Sequence, residues 1–382
     1  MLDPKTLMRR AQAATGLQDF GDGPFEDGLE VFCASLNREA DLNAAGMAGA
    51  EAMILNSLSE RLRVEDCLRK NPEILDQELA PQVFVLGLPR TGSTALSQFM
   101  SEDPAARSIR RWELSELTPP PDAAVQEDPR LARTRAAFEE RYRKQPEMRA
   151  MLPVEAEDPS EHGPILGLTF RNLQLPTRFN CPTYRDWLLM ADMVPAYQYL
   201  ARVLKLLQWK TPAGYWNLKN PPDVFSIEAI HTVFPTATIV WTHRDPGKSI
   251  PSVASLANLI RSEGVDNVDK HVLMQYMLDF QSEGVRRGLA ARTRLGEAVQ
   301  IVDSTQAALA RDTIGVIRDL YAKVGLPFTP EYEGHLKARM ANRPRGQHGK
   351  HEYDLADYGV TPVQIRDRFQ DYLDGVDILE PT

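Results

Sequence analysis

The stretch Val83-Phe-Val-Leu-Gly-Leu88-Pro89-Arg-Thr-Gly92-Ser93-Thr94 decides the fold. Its first six residues are wholly apolar and rich in β-branched and aromatic types, the pattern of a strand buried on both faces. The next six hold Gly92, five positions after Gly87, and end on two hydroxyl residues at the expected start of a helix over 93–100. A strand, a glycine-spaced turn and a helix N-terminus together form an anion cradle, because inward-pointing amides and the positive end of the helix dipole face one point. The position after Gly92 that holds lysine in an ATP-binding loop is Ser93, and the basic group is Arg90, inside the loop. That departure weakens a kinase or NTPase reading. The bland alternative is an ordinary tight βα turn with a capping hydroxyl.

Downstream, the same strand–helix alternation repeats. Tyr215-Trp-Asn-Leu-Lys219, Ala237-Thr-Ile-Val-Trp-Thr-His243 and Val299-Gln-Ile-Val-Asp303 read as strands, with helices over 227–234, 246–260, 270–294 and 306–324. Strands alternating with helices predict a parallel sheet covered on both faces, whose ligands gather at the carboxyl ends of the strands. Residues 1–80 read as a helical extension interrupted at Pro72, residues 118–165 as irregular and 165–210 as a helical insert. With no internal repeat and no Gly/Ser-rich linker, the expectation is an α/β single domain over 1–382, with its core over 81–330 and further helices and an Arg/Gly loop over 331–382.

The third strand leads into a second basic turn, His243-Arg244-Asp-Pro-Gly-Lys-Ser-Ile-Pro-Ser252. Pro246 suits a first helical turn. Arg244 at the strand end and Ser252 two turns into the helix can close on one phosphate, the guanidinium by a bidentate fork. The alternative is a structural ion pair of Arg244 with Asp245. Two strand-end cradles in one sheet suit a ligand with phosphates at both ends of a nucleoside.

Composition narrows the partners. The chain has 382 residues, 43% hydrophobic and 25% charged, with net charge −9, a poor match for nucleic acid or an acidic membrane. Cys33, Cys67 and Cys181 are three in number and scattered, which argues against a disulfide framework and for a reducing compartment. No apolar run reaches the ~20 residues of a membrane span, and the start lacks the pattern of a secretion signal, so a cytoplasmic protein is expected.

These motifs resemble the PAPS-dependent sulfotransferases, PAPS being 3′-phosphoadenosine-5′-phosphosulfate. Pro89-Arg-Thr-Gly-Ser-Thr94 looks like their 5′-phosphosulfate loop, Arg244 and Ser252 like their 3′-phosphate pair, and Arg343-Pro-Arg345-Gly346-Gln-His-Gly349-Lys350-His351 like their late Arg/Gly loop. The resemblance is closest to the bacterial branch with a helical N-terminal extension, and runs from Thr15-Gly-Leu-Gln-Asp-Phe-Gly to Tyr353-Asp-Leu-Ala-Asp-Tyr358. It implies a P-loop-like sheet, a donor site made by Arg90, Thr91, Gly92, Ser93, Thr94, Arg244, Ser252, Arg345 and Gly346, and no required metal. It also implies in-line transfer of a sulfuryl group to a hydroxyl or amine of a small-molecule, lipid or carbohydrate acceptor, leaving adenosine 3′,5′-bisphosphate.

Arg90 is then expected to stabilise the leaving phosphate oxygen. The base is left between Glu161 and His162 of the acidic loop Glu155-Ala-Glu-Asp-Pro-Ser-Glu-His162, with Asp223 as the third candidate. Lys219 is read either as a contact to the sulfuryl group or leaving phosphate, or as a structural cation. Relatives carry a histidine shortly after that lysine, where this chain has Asp223. The rival readings are a P-loop kinase or NTPase using Asp303 for magnesium, and a noncatalytic nucleotide-binding adaptor. His348 and His351 have a metal-ligand spacing but a Pro/Gly-rich setting that speaks for a loop. Trp187, Tyr197, Tyr199 and Trp209 read as core.

Overall fold

The computed structural model describes residues 1–151, 154–343 and 354–376. Five parallel strands form one sheet: β1 (Gln82–Gly87), β2 (Ala106–Arg107), β3 (Tyr215–Lys219), β4 (Thr238–His243) and β5 (Gln300–Thr305), in the order β2-β3-β1-β4-β5. β1 is central, in register Val85↔Lys219 with β3 and Gly87↔Thr242 with β4. All carboxyl ends therefore share one edge.

The period-2 rule explains the core. Phe84, Leu86 and Leu88 enter the larger apolar cluster on one face, while Val83 and Val85 enter a second cluster on the other. Ile239 and Trp241 of β4 face the first cluster and Val240 the second. The helices of the extension, α1 (Pro4–Thr15), α2 (Glu26–Glu39) and α3 (Ala44–Lys70), bury Leu7, Leu29, Phe32 and Leu62 in that same first cluster, which runs from Leu2 to Val376. The tyrosines read as core are core: Tyr197 and Tyr199 are buried, and Trp187 and Trp209 pack against them half-buried.

Three expectations need correction. Residues 118–165 are not irregular throughout, because Pro129–Lys144 forms a helix, α5, capped by the Asp128 carboxylate accepting from the Arg130 amide. Its sequence is made of Arg, Ala and Glu, good helix formers with almost no apolar stripe, and only Arg130 and Thr134 are buried. The helix read over 306–324 is broken at Asp312, whose carboxylate caps a new helix, Thr313–Val324, by accepting from the Gly315 amide at 2.9 Å. The sheet also gains β2, a two-residue edge strand too short to show a pattern.

Candidate active site

Gly87 ends β1 at φ +137°, where a Cβ would lie 2.4 Å from the Thr242 carbonyl of β4, so only glycine lets the two strands stay this close as the loop leaves the sheet. The loop then passes through Arg90 at φ +67° and Gly92 at φ +90°, and Gly92 is the N-cap of α4 (Ser93–Met100). Arg90 is a side-chain-bearing residue in the left-handed region, a conformation concentrated at functional turns. It brings the Arg90 carbonyl within reach of Arg244, whose Nη1 donates to it at 3.0 Å. The Arg90 Nε in turn donates to the Ser252 hydroxyl at 3.1 Å. The two strand-end motifs, read separately in the sequence, thus meet.

Arg244 is not the partner of Asp245. The Asp245 carboxylate caps its own helix by accepting from the Gly247 amide and pairs with Arg366 at 2.5 Å. Among the described residues, the Arg244 Nε is buried without a hydrogen-bond partner, as is the Ser249 hydroxyl one turn before Ser252. Buried polar groups in folded proteins are normally paired, so a guanidinium with an unused buried N–H at a strand end is suited to an arriving anion. Within the loop, Thr91 differs from its neighbours. Its buried hydroxyl donates to the Leu88 carbonyl and pairs with the Thr242 hydroxyl, both at 2.7 Å, so the side chain staples β1 to β4. Any contribution of Thr91 to an anion falls to its backbone. Arg345 and Gly346 lie outside the described residues, as do His348 and His351.

A second cluster stands at the end of β3. The acidic loop docks there as a short parallel bridge, Glu161↔Lys219, and the His162 amide donates to the Lys219 carbonyl at 3.3 Å. Lys219 is 1% exposed and its ammonium donates to Glu161 Oε1 at 2.6 Å and to the Thr94 hydroxyl at 3.4 Å, which joins this cluster to the β1 loop. Glu161 keeps 32% of its side-chain surface open although it sits deep among protein atoms. Burial pushes its carboxyl up, but the charge and hydrogen bond of Lys219, with Arg111 nearby, outweigh that and hold it below the usual range. Burial likewise lowers the Lys219 ammonium, with Glu161 opposing.

The structure separates the two candidate bases. His162 is wholly buried, its ring edge-on to Phe84 with 5.7 Å between centroids. Its Nε2 lies 2.8 Å from Asp223 Oδ2, turned so that neither atom completes a hydrogen bond. His162 is thus closed off from the surface, whereas Glu161 keeps part of its carboxylate open. Asp223 is equally enclosed, accepting from the Tyr197 hydroxyl at 2.8 Å and the Asn220 amide at 2.6 Å. Sequence reading missed Gln174 and Asn220: the Gln174 amide donates to both Glu161 Oε2 and Asn220 Oδ1, and holds the carboxylate from the far side. No motif flags a glutamine from the helical insert.

Asp303, the magnesium candidate, is committed elsewhere. Arg292 grips it through both oxygens at 2.7 Å and His243 Nε2 lies 2.9 Å away. Burial would raise its carboxyl, but these partners hold it far below the ordinary range.

Comparison with known proteins agrees with the geometry. No curated protein matches the chain. Solved structures do, among them sulfotransferase STF9 from Mycobacterium avium, 29% identical with a TM-score of 0.88 over 98% of this chain and 97% of that one, and sulfotransferase STF1 from Mycobacterium tuberculosis H37Rv, 26% identical with a TM-score of 0.86 over 97% and 99%. The model of the Sulfotransferase family matches residues 81–330, more than half of the sequence, and the chain accordingly belongs to the sulfotransferase family.

Proposed function

We propose that this enzyme transfers a sulfuryl group from PAPS to a hydroxyl or amine of a small-molecule, lipid or carbohydrate acceptor, with residues 1–382 working as one unit. The observation that carries the reading is the meeting of the two strand-end cradles: Arg90 bonded to Ser252, and Arg244 bonded to the Arg90 carbonyl while its own Nε stays unused. A nucleotide with a phosphate at each end matches that span.

Arg90, Gly92, Ser93 and Thr94 would hold the 5′-phosphosulfate end, with the amides at the start of α4 as donors. Arg244 and Ser252 would hold the 3′-phosphate, with Arg345 and Gly346 joining from the late loop. Bound there, PAPS supplies an electrophilic sulfuryl group and a phosphate leaving group. Glu161, kept ionised by Lys219, is an available carboxylate to take the acceptor's proton at Oε1 or Oε2. Lys219 reaches both Glu161 and Thr94, so its charge lies between the base and the 5′ loop, where it can offset negative charge. Gln174 orients the carboxylate and so acts as a positioning residue.

A cytoplasmic location is part of the proposal. Cys33 and Cys181 are buried free thiols, each pushed up to about 12 by burial, and no helix among the described residues is long and apolar enough to cross a membrane.

The test is a calorimetric titration without magnesium, followed by turnover of labelled PAPS. Adenosine 3′,5′-bisphosphate should bind more tightly than AMP or ATP. Equal affinity for AMP would remove the case for a 3′-phosphate site at Arg244 and Ser252.

A further inference from the structure

Beside the Glu161 cluster lies an open groove of about 470 Å³ between α5 and the turn that follows β2. Leu114, Ala137 and Phe138 give it an apolar wall, and Ser160, which directly precedes Glu161, also lines it. Arg111 and Arg133 also line it. The two arginines differ. Arg133 is exposed and pairs with Glu116 at 2.9 Å. Arg111 is half-buried, but its Nε is buried and has no hydrogen-bond partner, and its guanidinium makes no ion pair among the described residues.

The acids around Arg111 are all engaged elsewhere. Glu161 is paired with Lys219 at 2.6 Å, and Asp158 with Arg343 at 2.8 Å and Arg339 at 3.5 Å. Glu155 pairs with Arg343 and Glu157 with Arg135. Arg111 therefore keeps no acidic partner of its own among the described residues, while the neighbouring Arg110 donates to the Glu157 carbonyl at 3.1 Å. Its guanidinium is destabilised by burial, with Glu161 and Asp158 opposing. Leaving a charge desolvated without a partner is costly, and folded proteins seldom keep one unless something arrives to meet it.

Resting on the sulfotransferase reading of the adjoining site, we propose that this groove receives the acceptor and that Arg111 selects for one carrying a carboxylate or comparable oxyanion on an apolar body. The acceptor's hydroxyl then lies toward Ser160 and Glu161, its apolar part against Leu114 and Phe138, and its anionic end on the Arg111 fork. The planar guanidinium suits a bidentate oxyanion, which makes Arg111 a specificity residue.

Two matched pairs of probes test this with the full chain saturated in adenosine 3′,5′-bisphosphate: 3-(4-hydroxyphenyl)propionate against its amide, and 12-hydroxydodecanoate against its amide. In at least one pair the acid should bind about tenfold or more tightly than the amide, the value of one charged hydrogen bond. Arg111→Met should abolish that preference while folding at least as stably, because it removes an unpaired buried charge. Arg111→Lys, which keeps the charge without the fork, should retain part of it. Equal affinity of acid and amide in both pairs, or a preference that survives Arg111→Met, overturns the proposal. So does a loss of bisphosphate affinity in Arg111→Met, which would assign the residue to the donor. A titration of the unmodified protein with the bisphosphate alone separates the two readings: failure of the donor site appears as no bisphosphate binding, failure of the groove as bisphosphate binding with no preference for the acid.

Discussion

Arg244 and Lys219 occupy matching places, each at the carboxyl end of a strand that flanks β1, yet they are prepared differently. Arg244 gives one N–H to the Arg90 carbonyl and keeps its buried Nε unspent. Lys219 is already neutralised by Glu161 at 2.6 Å. The β4 end therefore holds an unspent buried donor, whereas the β3 end holds an internal ion pair. Under the proposed function, binding falls to the first and proton handling to the second. That contrast predicts that substitutions at the two ends fail in different measurements.

The largest effect is expected at the β3 end. Glu161→Gln should lower the transfer rate by roughly 10²–10⁴, the usual span for losing a general base, while bisphosphate affinity in calorimetry stays unchanged. His162→Asn should instead lower thermal stability, because it disturbs a wholly buried ring beside Asp223, and leave the shape of the pH–rate profile intact. A rate loss of the same size for His162→Asn with full stability would reverse the assignment.

At the β4 end the effect moves to binding. Arg244→Ala should weaken adenosine 3′,5′-bisphosphate by about 1.5–3 kcal/mol, roughly 10–150-fold, since a charged hydrogen bond to the 3′-phosphate is lost. AMP, which lacks that phosphate, should bind the variant and the unmodified protein alike. An equal loss for both nucleotides would mean that Arg244 supports the Arg90 loop and does not meet the ligand.

The two ends also differed in how far they could be read from sequence. Arg90, Gly92, Arg244 and Ser252 stood out because each motif is local: a buried apolar strand, a turn, then a helix start. Strands β1, β3 and β4 were legible for the same reason, as every residue in them is buried. The β3 cluster draws instead on positions 94, 111, 161, 174 and 219, brought together by the docking of the acidic loop onto the sheet edge. Such long-range contacts leave no spacing to detect. Glu161 and Lys219 were named through family resemblance, but nothing in the sequence showed that they pair with each other. α5 escaped because a helix of Arg, Ala and Glu with two buried residues carries propensity but almost no periodicity.

The pH profile sharpens the contrast further. Glu161 is held below the ordinary carboxylate range, so it stays ionised as pH falls through the usual glutamate value of about 4.3, and the acidic limb of kcat/KM should lie below that value. In Lys219→Met the burial that raises the carboxyl is no longer opposed by its main partner, and the limb should move to higher pH. A limb that stays in place in that variant would mean that Lys219 does not set the ionisation of the base. Arg244→Ala should leave the limb where it is.

The smallest effect tests whether the two cradles act as one. The Ser252 hydroxyl accepts from Arg90 Nε at 3.1 Å, so it touches the β1 loop from the helix that follows β4. The hydroxyl is half-buried and carries no charge of its own, so its loss is set at about 0.5–1.5 kcal/mol, below that of a charged partner. Ser252→Ala should therefore weaken adenosine 3′,5′-bisphosphate only about 2–12-fold, less than Arg244→Ala. The informative quantity is the coupling with Arg90. If Ser252 steers Arg90 as well as meeting the 3′-phosphate, then Ser252→Ala and Arg90→Ala combined should cost less than the sum of the two singles, because the second substitution removes a contact already lost. AMP adds a second arm. It fills only the 5′ cradle, so a loss of AMP affinity in Ser252→Ala measures the steering of Arg90 alone, and the further loss seen with the bisphosphate measures the 3′ contact. Strict additivity together with unchanged AMP binding would show that the bond between Ser252 and Arg90 contributes nothing to binding, and the two cradles would then be neighbours that work independently.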